Sequence, residues 1–201
     1  MDIKRKGNNE TSVLRRENDI ILKEISCNIK EIKTVLDAGS GPFSQDGNGK
    51  LYKDYFPFAK YYTLDNNHGK SRENHFNMDL HDLSSLRMQF DIVLCLSVLE
   101  HVKNPFAVAN QLEIISNKYI FIVVPFIFPF HPKINGDVKD YWRFTDSGLI
   151  ELFSNSKVIW IKKMKSVIRS VKDKKKIIKK PHKGWISSNS ATGYAALFKI
   201  K

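Results

Sequence analysis

The spacing of hydrophobic positions changes after the first thirty residues of the chain. Residues 11–31 carry apolar side chains at helical spacing among charged ones, namely Leu14, Ile21, Ile25 and Ile29. This pattern predicts an amphipathic helix, and we expect residues 1–31 to form an N-terminal helical extension. From Thr34 onward, short continuous apolar runs alternate with segments of helical composition. Continuous apolar runs are typical of parallel strands covered on both faces, so the pattern predicts a layered α/β domain.

The positions of the elements follow from apolar runs and their boundaries. Strands are predicted over residues 34–37, 61–65, 75–78, 90–96, 119–125, 157–162 and 194–200. Helices are predicted over residues 104–117, with Pro105 in the first turn, and from the capping residue Thr145 to Phe153. The segment between Gly41 and Tyr61 is interrupted by Gly47, Gly49 and Pro57, so a helix there should be short or displaced. No internal repeat or second hydrophobic unit is evident, and residues 1–201 are predicted to form a single domain.

Charge is concentrated in one part of the chain. The net charge is +12, and residues 157–183 contain twelve Lys or Arg side chains and one acid, Asp173. The basic connection over residues 164–192 precedes the last predicted strand. Its partner could be nucleic acid, an anionic membrane surface or an acidic substrate, although a lysine-rich connection is commonly only a solvated loop. Composition alone does not choose among these.

Cysteine content and hydropathy exclude several classes of protein. Cys27 and Cys95 show no CxxC spacing, which argues against a secreted disulfide framework and against a zinc cluster. The first nine residues are polar and lack the apolar core of a signal peptide. The longest apolar run, over residues 119–130, is interrupted by two prolines and is shorter than the roughly 20 residues of a membrane span. We therefore expect a cytoplasmic protein without a transmembrane segment.

The segment Val35-Leu36-Asp37-Ala38-Gly39-Ser40-Gly41-Pro42 follows a predicted strand with a glycine-rich turn. Glycines allow a tight turn and a close approach of backbone to ligand, at the edge where open α/β sheets bind nucleotides. The segment lacks the Gly-Lys-Ser/Thr ending of a phosphate loop and the third glycine of a dinucleotide fingerprint. Asp65 ends the next strand, where a carboxylate can accept both hydroxyls of a ribose, and Asp79 follows a third short strand, where it could meet an adenine amino group.

The ordered set VLDAGSG, YYTLD, NMDL, FDIVLCLSVLEHV and YIFIVVP resembles the class I S-adenosylmethionine-dependent methyltransferases over residues 33–163. The resemblance implies a Rossmann-like, doubly wound and mostly parallel sheet with an antiparallel last strand. It implies S-adenosyl-L-methionine as cofactor and S-adenosyl-L-homocysteine as product. Leu80 would pack on the adenine, and Leu96 and Ser97 would lie beside the methionine moiety. The implied polar and backbone contacts to the cofactor come from Asp37, Gly39, Gly41, Asp65 and Asp79.

Two segments beyond the predicted strands are candidates for the acceptor site. Glu100 and His101 follow the fourth motif strand, where they could face the cofactor methyl group. Some metal-dependent O-methyltransferases carry Glu-x-x-Glu-His here, but this chain has Ser97 in place of the first glutamate, so no metal is expected. The run Asp140-Tyr141-Trp142-Arg143-Phe144-Thr145 follows the next strand and resembles a subgroup of small bacterial methyltransferases associated with surface-polysaccharide biosynthesis.

Methyl transfer to a hydroxyl would use a general base, for which His131 and His101 are the candidates, with Asp140 orienting one of them. Tyr141 and Trp142 could stack on a sugar, and Arg143 could hold a carboxylate or phosphate. Alternatively, the aromatic side chains form a lid and Arg143 pairs with Asp140.

The predicted function is therefore O-methylation of a small-molecule or glycan acceptor, which could be anionic or lipid-linked, with possible peripheral membrane docking. A nucleic-acid (RNA) methyltransferase that uses the basic segment and a non-catalytic cofactor-binding module are the alternatives.

Overall fold

A computed structural model describes residues 13–41, 51–66, 73–127, 139–164 and 191–201. Its helices are α1 (Val13–Asn28), α2 (Pro105–Ile115) and α3 (Asp146–Leu152). Its strands are β1 (Thr34–Ala38), β2 (Lys60–Asp65), β3 (His75–Asn77), β4 (Phe90–Leu96), β5 (Ser116–Pro125), β6 (Ser156–Met164) and β7 (Gly193–Ile200). Short 3-10 helices cover Tyr52–Tyr55 and Leu99–His101. No helix within these ranges is long and apolar enough to cross a membrane.

All seven strands form one sheet in the order β3-β2-β1-β4-β5-β7-β6. β1 to β5 pair in parallel, whereas β7 lies between β5 and β6 and runs antiparallel to both. The prediction of a mostly parallel α/β sheet with an antiparallel last strand is confirmed. The strand order reverses between β1 and β4, and open sheets bind ligands in the crevice at such a point.

Successive residues of the central strands point to opposite faces of the sheet, and both faces are buried. Leu36 and Val93 belong to the cluster that packs with α2 and α3. Their neighbours Val35 and Ile92 belong to the cluster that contains Ile21 of α1. This explains why the strands appear in the sequence as continuous apolar runs rather than as alternating patterns.

Several element boundaries differ modestly from the prediction. β5 begins at Ser116 rather than at Tyr119, and Ser116 is buried with its hydroxyl donating to the carbonyl of Leu112, 2.6 Å away. Between β1 and β2 the described residues hold only the 3-10 helix Tyr52–Tyr55, in agreement with the expected weak helix. In α2, Asn104 accepts a hydrogen bond from the backbone N–H of Ala107, which closes the first turn. Residues 165–190, most of the basic connection, lie outside the described residues.

Candidate functional site

The glycine turn after β1 lies at the carboxyl edge of the sheet. Gly39 and Gly41 have φ angles of +78° and +57°, which L side chains rarely adopt. A Cβ on Gly39 would lie 2.5 Å from Cγ2 of Val98, so Gly39 and Val98 are in close contact. At Gly41, by contrast, no atom of the described residues lies within 4 Å of the position of a Cβ. As far as the described ranges show, a side chain at Gly41 would meet no other group, as suits a turn whose backbone contacts a ligand.

The last two residues of β2 hold the glycine turn by hydrogen bonds. The backbone N–H groups of Gly39 and Ser40 donate to the carbonyl of Leu64 over 2.7 and 3.2 Å. The next residue of β2, Asp65, accepts a hydrogen bond from the backbone N–H of Gly41 at 2.7 Å through Oδ2. The carboxylate of Asp65 is thereby oriented at the end of β2, beside Gly41.

Asp37 lies below the turn and is almost fully buried, with 2% of its surface exposed. The hydroxyl of Tyr61 donates to Oδ2 of Asp37 over 3.0 Å. Burial raises the pKa of Tyr61 well above its ordinary value, and the charge of Asp37 raises it further. Tyr61 therefore remains a neutral donor to Asp37 at physiological pH. Tyr61 was not among the predicted site residues, because as the second residue of β2 it has no local signal in the sequence.

The other predicted cofactor residues lie beyond the neighbouring strands. Asp79 is exposed and accepts hydrogen bonds from the backbone N–H and the ring Nδ1 of His81, which lower the pKa of Asp79. Leu80 is buried. Leu96 ends β4, and Ser97 follows it in the left-handed region at φ +58°, with its N–H donating to Val123. The cofactor contacts of all these residues stay predictions.

On the acceptor side, four hydrogen bonds join residues 139–142 to residues 100–102. The backbone N–H groups of Tyr141 and Trp142 both donate to the carbonyl of Glu100, over 2.7 and 3.2 Å. The indole Nε1–H of Trp142 donates to the carbonyl of Val102, 2.9 Å away. The ring Nδ1 of His101 lies 2.6 Å from the carbonyl of Lys139. These hydrogen bonds hold the two candidate acceptor segments, residues 100–102 and 139–142, against each other.

Asp140 and Arg143 form a bidentate ion pair within this region. Both guanidinium NH groups of Arg143 donate to the carboxylate of Asp140, and NH1 also donates to the carbonyl of Trp142. The carboxylate of Asp140 is fully buried, whereas 26% of the Arg143 side chain is exposed. The hydrogen bond to Asp140 raises the pKa of Arg143. The internal ion pair, which the sequence left as an alternative, is present, so Arg143 could bind an acceptor anion only through its remaining surface.

Glu100 is the most unusual group of the site. Its side chain is fully buried, and within the described ranges no group meets the geometry of a hydrogen bond to either carboxyl oxygen. The pKa of Glu100 is raised to about 8, mainly by burial and also by the nearby charge of Asp140, and this value includes the opposing effects of its own backbone N–H and of the charge of Arg143. Nε2 of His101 lies 3.8 Å from Oε1 of Glu100. Strongly shifted acids are enriched at functional sites.

The structure therefore brings His101, Asp140, Tyr141, Trp142 and Arg143 into one region. His131, the other predicted base, lies outside the described residues. Among the described residues, no group of three or more His, Cys, Asp or Glu side chains is arranged to hold a metal ion.

No family model and no curated protein matches the sequence. Solved structures match over nearly the whole chain. The N-methyltransferase NodS of Bradyrhizobium japonicum WM9 in complex with S-adenosyl-L-homocysteine has a TM-score of 0.59 at 9% identity, covering 97% of this chain and 93% of that one. The magnesium protoporphyrin IX methyltransferase of Synechocystis PCC 6803 with bound S-adenosylmethionine has a TM-score of 0.56 at 13% identity, covering 94% and 80%.

The chain has the class I S-adenosylmethionine-dependent methyltransferase fold. An S-adenosylmethionine-dependent methyltransferase of Methanosarcina mazei is similar to the same extent, with a TM-score of 0.56, 13% identity and coverage of 88% and 96%. The sequence resemblance is confirmed at the level of this methyltransferase fold. The subgroup suggested by DYWRFT stays a prediction.

Proposed function

We propose that this chain is an S-adenosylmethionine-dependent methyltransferase that methylates an oxygen atom of a small-molecule or surface-glycan acceptor. The observation that carries the proposal is the pairing of Asp65 with Gly41. It orients a carboxylate at the end of β2, beside a glycine whose Cβ position has no atom of the described ranges within 4 Å. This chemistry suits a ligand that presents ribose hydroxyls. We further propose that the reaction belongs to polysaccharide biosynthesis in the cytoplasm.

The residues at the carboxyl edge of the sheet have charges and hydrogen-bonding groups that suit S-adenosylmethionine. Asp37 supplies a buried negative charge near the glycine turn, which suits the positively charged amino group of the methionine moiety. Asp65 would accept hydrogen bonds from the ribose, and Asp79 from the adenine amino group. When bound, S-adenosylmethionine supplies a methyl group bonded to a positively charged sulfur, and this group is open to in-line attack by a nucleophile.

The contribution of the protein to the transfer is position and proton removal. Holding two reactants in line can supply a large part of the rate enhancement. In this proposal, His101 is the general base. The carbonyl of Lys139 can only accept a hydrogen bond, so Nδ1 of His101 carries the hydrogen. In the neutral ring, Nε2 then carries the lone pair and can take the proton of an acceptor hydroxyl.

The exposed aromatic side chains beside this base suit a carbohydrate acceptor. Tyr141 and Trp142 have 45% and 42% of their surfaces exposed, although the indole N–H of Trp142 is held by Val102. An anchored aromatic ring with an open face can stack on a sugar without losing much conformational freedom. The matched structures themselves include an N-methyltransferase and a porphyrin methyltransferase, so the fold does not select the acceptor.

Cofactor binding is tested by ligand-dependent thermal stability. S-adenosyl-L-homocysteine should raise the melting temperature of the wild-type chain, because a ligand that binds the folded state stabilises it. Asp65→Ala should abolish the shift. Glu151→Ala, which removes an exposed acid from α3, should retain it. If the wild-type protein shows no shift and no binding by calorimetry, the proposed activity is wrong.

The acceptor class is tested by transfer of a labelled methyl group to separated cell fractions. Label in a base-stable glycan or small-molecule fraction is expected. Label in RNA, with binding that weakens steeply as salt rises, would support the alternative suggested by the charge of residues 157–183.

A further inference from the structure

Glu100 combines features that a structural residue would avoid. Its side chain is 0% exposed, and both carboxyl oxygens lack hydrogen-bond partners among the described residues. Buried polar groups are ordinarily hydrogen-bonded, because an unpaired one loses its hydration without compensation. A buried carboxyl group without a partner at the carboxyl edge of the sheet therefore calls for a functional explanation.

The ionisable groups that face Glu100 come from three segments. From β4, Cys95 is close enough that the charge of Glu100 raises the pKa of the Cys95 thiol, after burial, which is the larger cause. From residues 139–143, the charges of Asp140 and Arg143 act on Glu100 in opposite directions. Those two side chains are paired with each other in a bidentate contact. The third segment is the 3-10 helix, which contributes His101 at 3.8 Å.

Of these groups, only His101 ordinarily exchanges a proton near neutral pH. Its Nδ1–H donates to the carbonyl of Lys139 at 2.6 Å, so gain or loss of a proton takes place at Nε2. Nε2 is the ring nitrogen nearest to Oε1 of Glu100. The distance of 3.8 Å is too long for a hydrogen bond, yet short enough for strong electrostatic coupling inside a protein.

We propose that Glu100 is a positioning residue that controls the proton on Nε2 of His101, so that His101 accepts a proton from the acceptor effectively only when Glu100 is negatively charged. This inference rests on the proposed methyltransferase function. It concerns the charge state of the base and assigns Glu100 no contact with the acceptor.

The proton balance follows directly. In the transfer step, the oxygen–hydrogen bond of the acceptor would break and its proton would move to Nε2. The oxygen would bond to the methyl carbon as the carbon–sulfur bond of the bound cofactor breaks, with its electron pair going to sulfur and S-adenosyl-L-homocysteine as the leaving group. The resulting imidazolium is stabilised by an ionised Glu100 and not by a protonated one. Because burial raises the pKa of Glu100 to about 8, the favourable charge state is reached only as the pH approaches 8. The two groups titrate as a coupled pair, so the alkaline step belongs to both.

The test is a histidine titration by NMR on the full chain, which needs neither cofactor nor acceptor. Long-range ¹H–¹⁵N spectra report the protonation of each ring nitrogen, and His101→Gln assigns the His101 signal. We expect the Nε2 signal of His101 in the wild-type protein to shift in two steps, the second near pH 8. Glu100→Gln, which keeps the shape and removes the charge, should leave only one step. Glu113→Gln, the same change in the last turn of α2, should retain both.

Either of two results overturns the inference: a single step in the wild-type protein, or a second step that survives in Glu100→Gln. If Glu100→Gln does not fold, Glu100→Asp provides the comparison, since it keeps the charge and should retain the second step at a shifted pH. Binding of S-adenosyl-L-homocysteine is measured on the same samples. A two-step titration without binding of S-adenosyl-L-homocysteine would support the coupling of Glu100 to His101 and contradict the proposed function. Binding together with a one-step titration would support the proposed function and contradict the coupling.

Discussion

The side chain of Val98 occupies the space in which a Cβ on Gly39 would lie, at 2.5 Å from its Cγ2 atom. Val98 follows the left-handed residue Ser97 at the end of β4, so the close contact joins the ends of two adjacent strands. The glycine is therefore required by packing inside the protein as well as by its backbone conformation.

The first prediction compares alanine at the two glycines of the turn. Gly39→Ala should lower the free energy of unfolding by about 2–4 kcal/mol, since it adds a steric clash to the cost of a left-handed conformation. Gly41→Ala should cost only about 1–2 kcal/mol, because only the conformational cost applies. Urea unfolding measures both. Val98→Ala combined with Gly39→Ala should recover part of the loss, and strictly additive effects would contradict the contact.

The second prediction concerns the pH dependence of stability at Glu100. Its pKa is about 8 in the folded chain and near 4.5 when unfolded, so the folded state holds the extra proton between these values. Stability contributed by this group is complete below pH 4.5 and is lost as the pH rises to 8. The Glu100→Gln variant does not lose stability in this way. Its free energy of unfolding, relative to that of the wild type, should therefore increase by up to about 5 kcal/mol between pH 4.5 and pH 8. Chemical unfolding at pH 5 and pH 8.5 measures the difference. If the two free energies of unfolding differ by the same amount at pH 5 and at pH 8.5, Glu100 is ionised in the folded protein at both pH values.

The third prediction separates the two members of the buried ion pair. Arg143→Met leaves the fully buried carboxylate of Asp140 without its main partner and should cost about 3–5 kcal/mol. Asp140→Asn leaves a partly exposed guanidinium, which water can reach, and should cost about 1–3 kcal/mol. The double variant should lose less than the sum of the two. Equal single losses with no coupling in the cycle would mean that the pair contributes nothing specific.

The fourth prediction tests the anchoring of Trp142. Trp142→Phe removes the hydrogen bond from Nε1 to the carbonyl of Val102 and should lower the free energy of unfolding by about 1–2 kcal/mol. We expect the acceptor turnover to fall while the thermal shift with S-adenosyl-L-homocysteine is unchanged. Tyr141→Phe is the matched control for stability, since Tyr141 contacts Glu100 through its backbone N–H and is 45% exposed. A stability loss in the control as large as that of Trp142→Phe would argue against the indole contact.

The fold was largely predictable because its signals are local. Both faces of β1 and β4 are buried, so these strands are apolar throughout, and the glycine turn after β1 stands out as a break. The start of β5 was missed because its first residues, Ser116, Asn117 and Lys118, are polar and resemble a turn. Such residues are tolerated there since the hydroxyl of Ser116 bonds to α2 and Lys118 pairs with Asp91.

The acceptor side was less predictable because its side chains are held by contacts between residues about forty positions apart in the sequence. From the sequence we predicted that Glu100 could face the methyl group, but no local pattern indicates its complete burial. The charges that act on it, Asp140 and Arg143, lie about forty residues further along the chain. The pairing of Trp142 with Val102 has no local signature either. Tyr61 was missed for the same reason, since its partner Asp37 is on the adjacent strand.

The four hydrogen bonds between residues 100–102 and 139–142 have a consequence for engineering. A chimera that exchanges only the Asp140–Phe144 segment would keep the backbone donors of positions 141 and 142, but it would lose the hydrogen bond to Val102 unless the new segment also has a tryptophan at position 142. An exchange meant to alter acceptor preference should therefore retain this tryptophan or replace residues 100–102 at the same time.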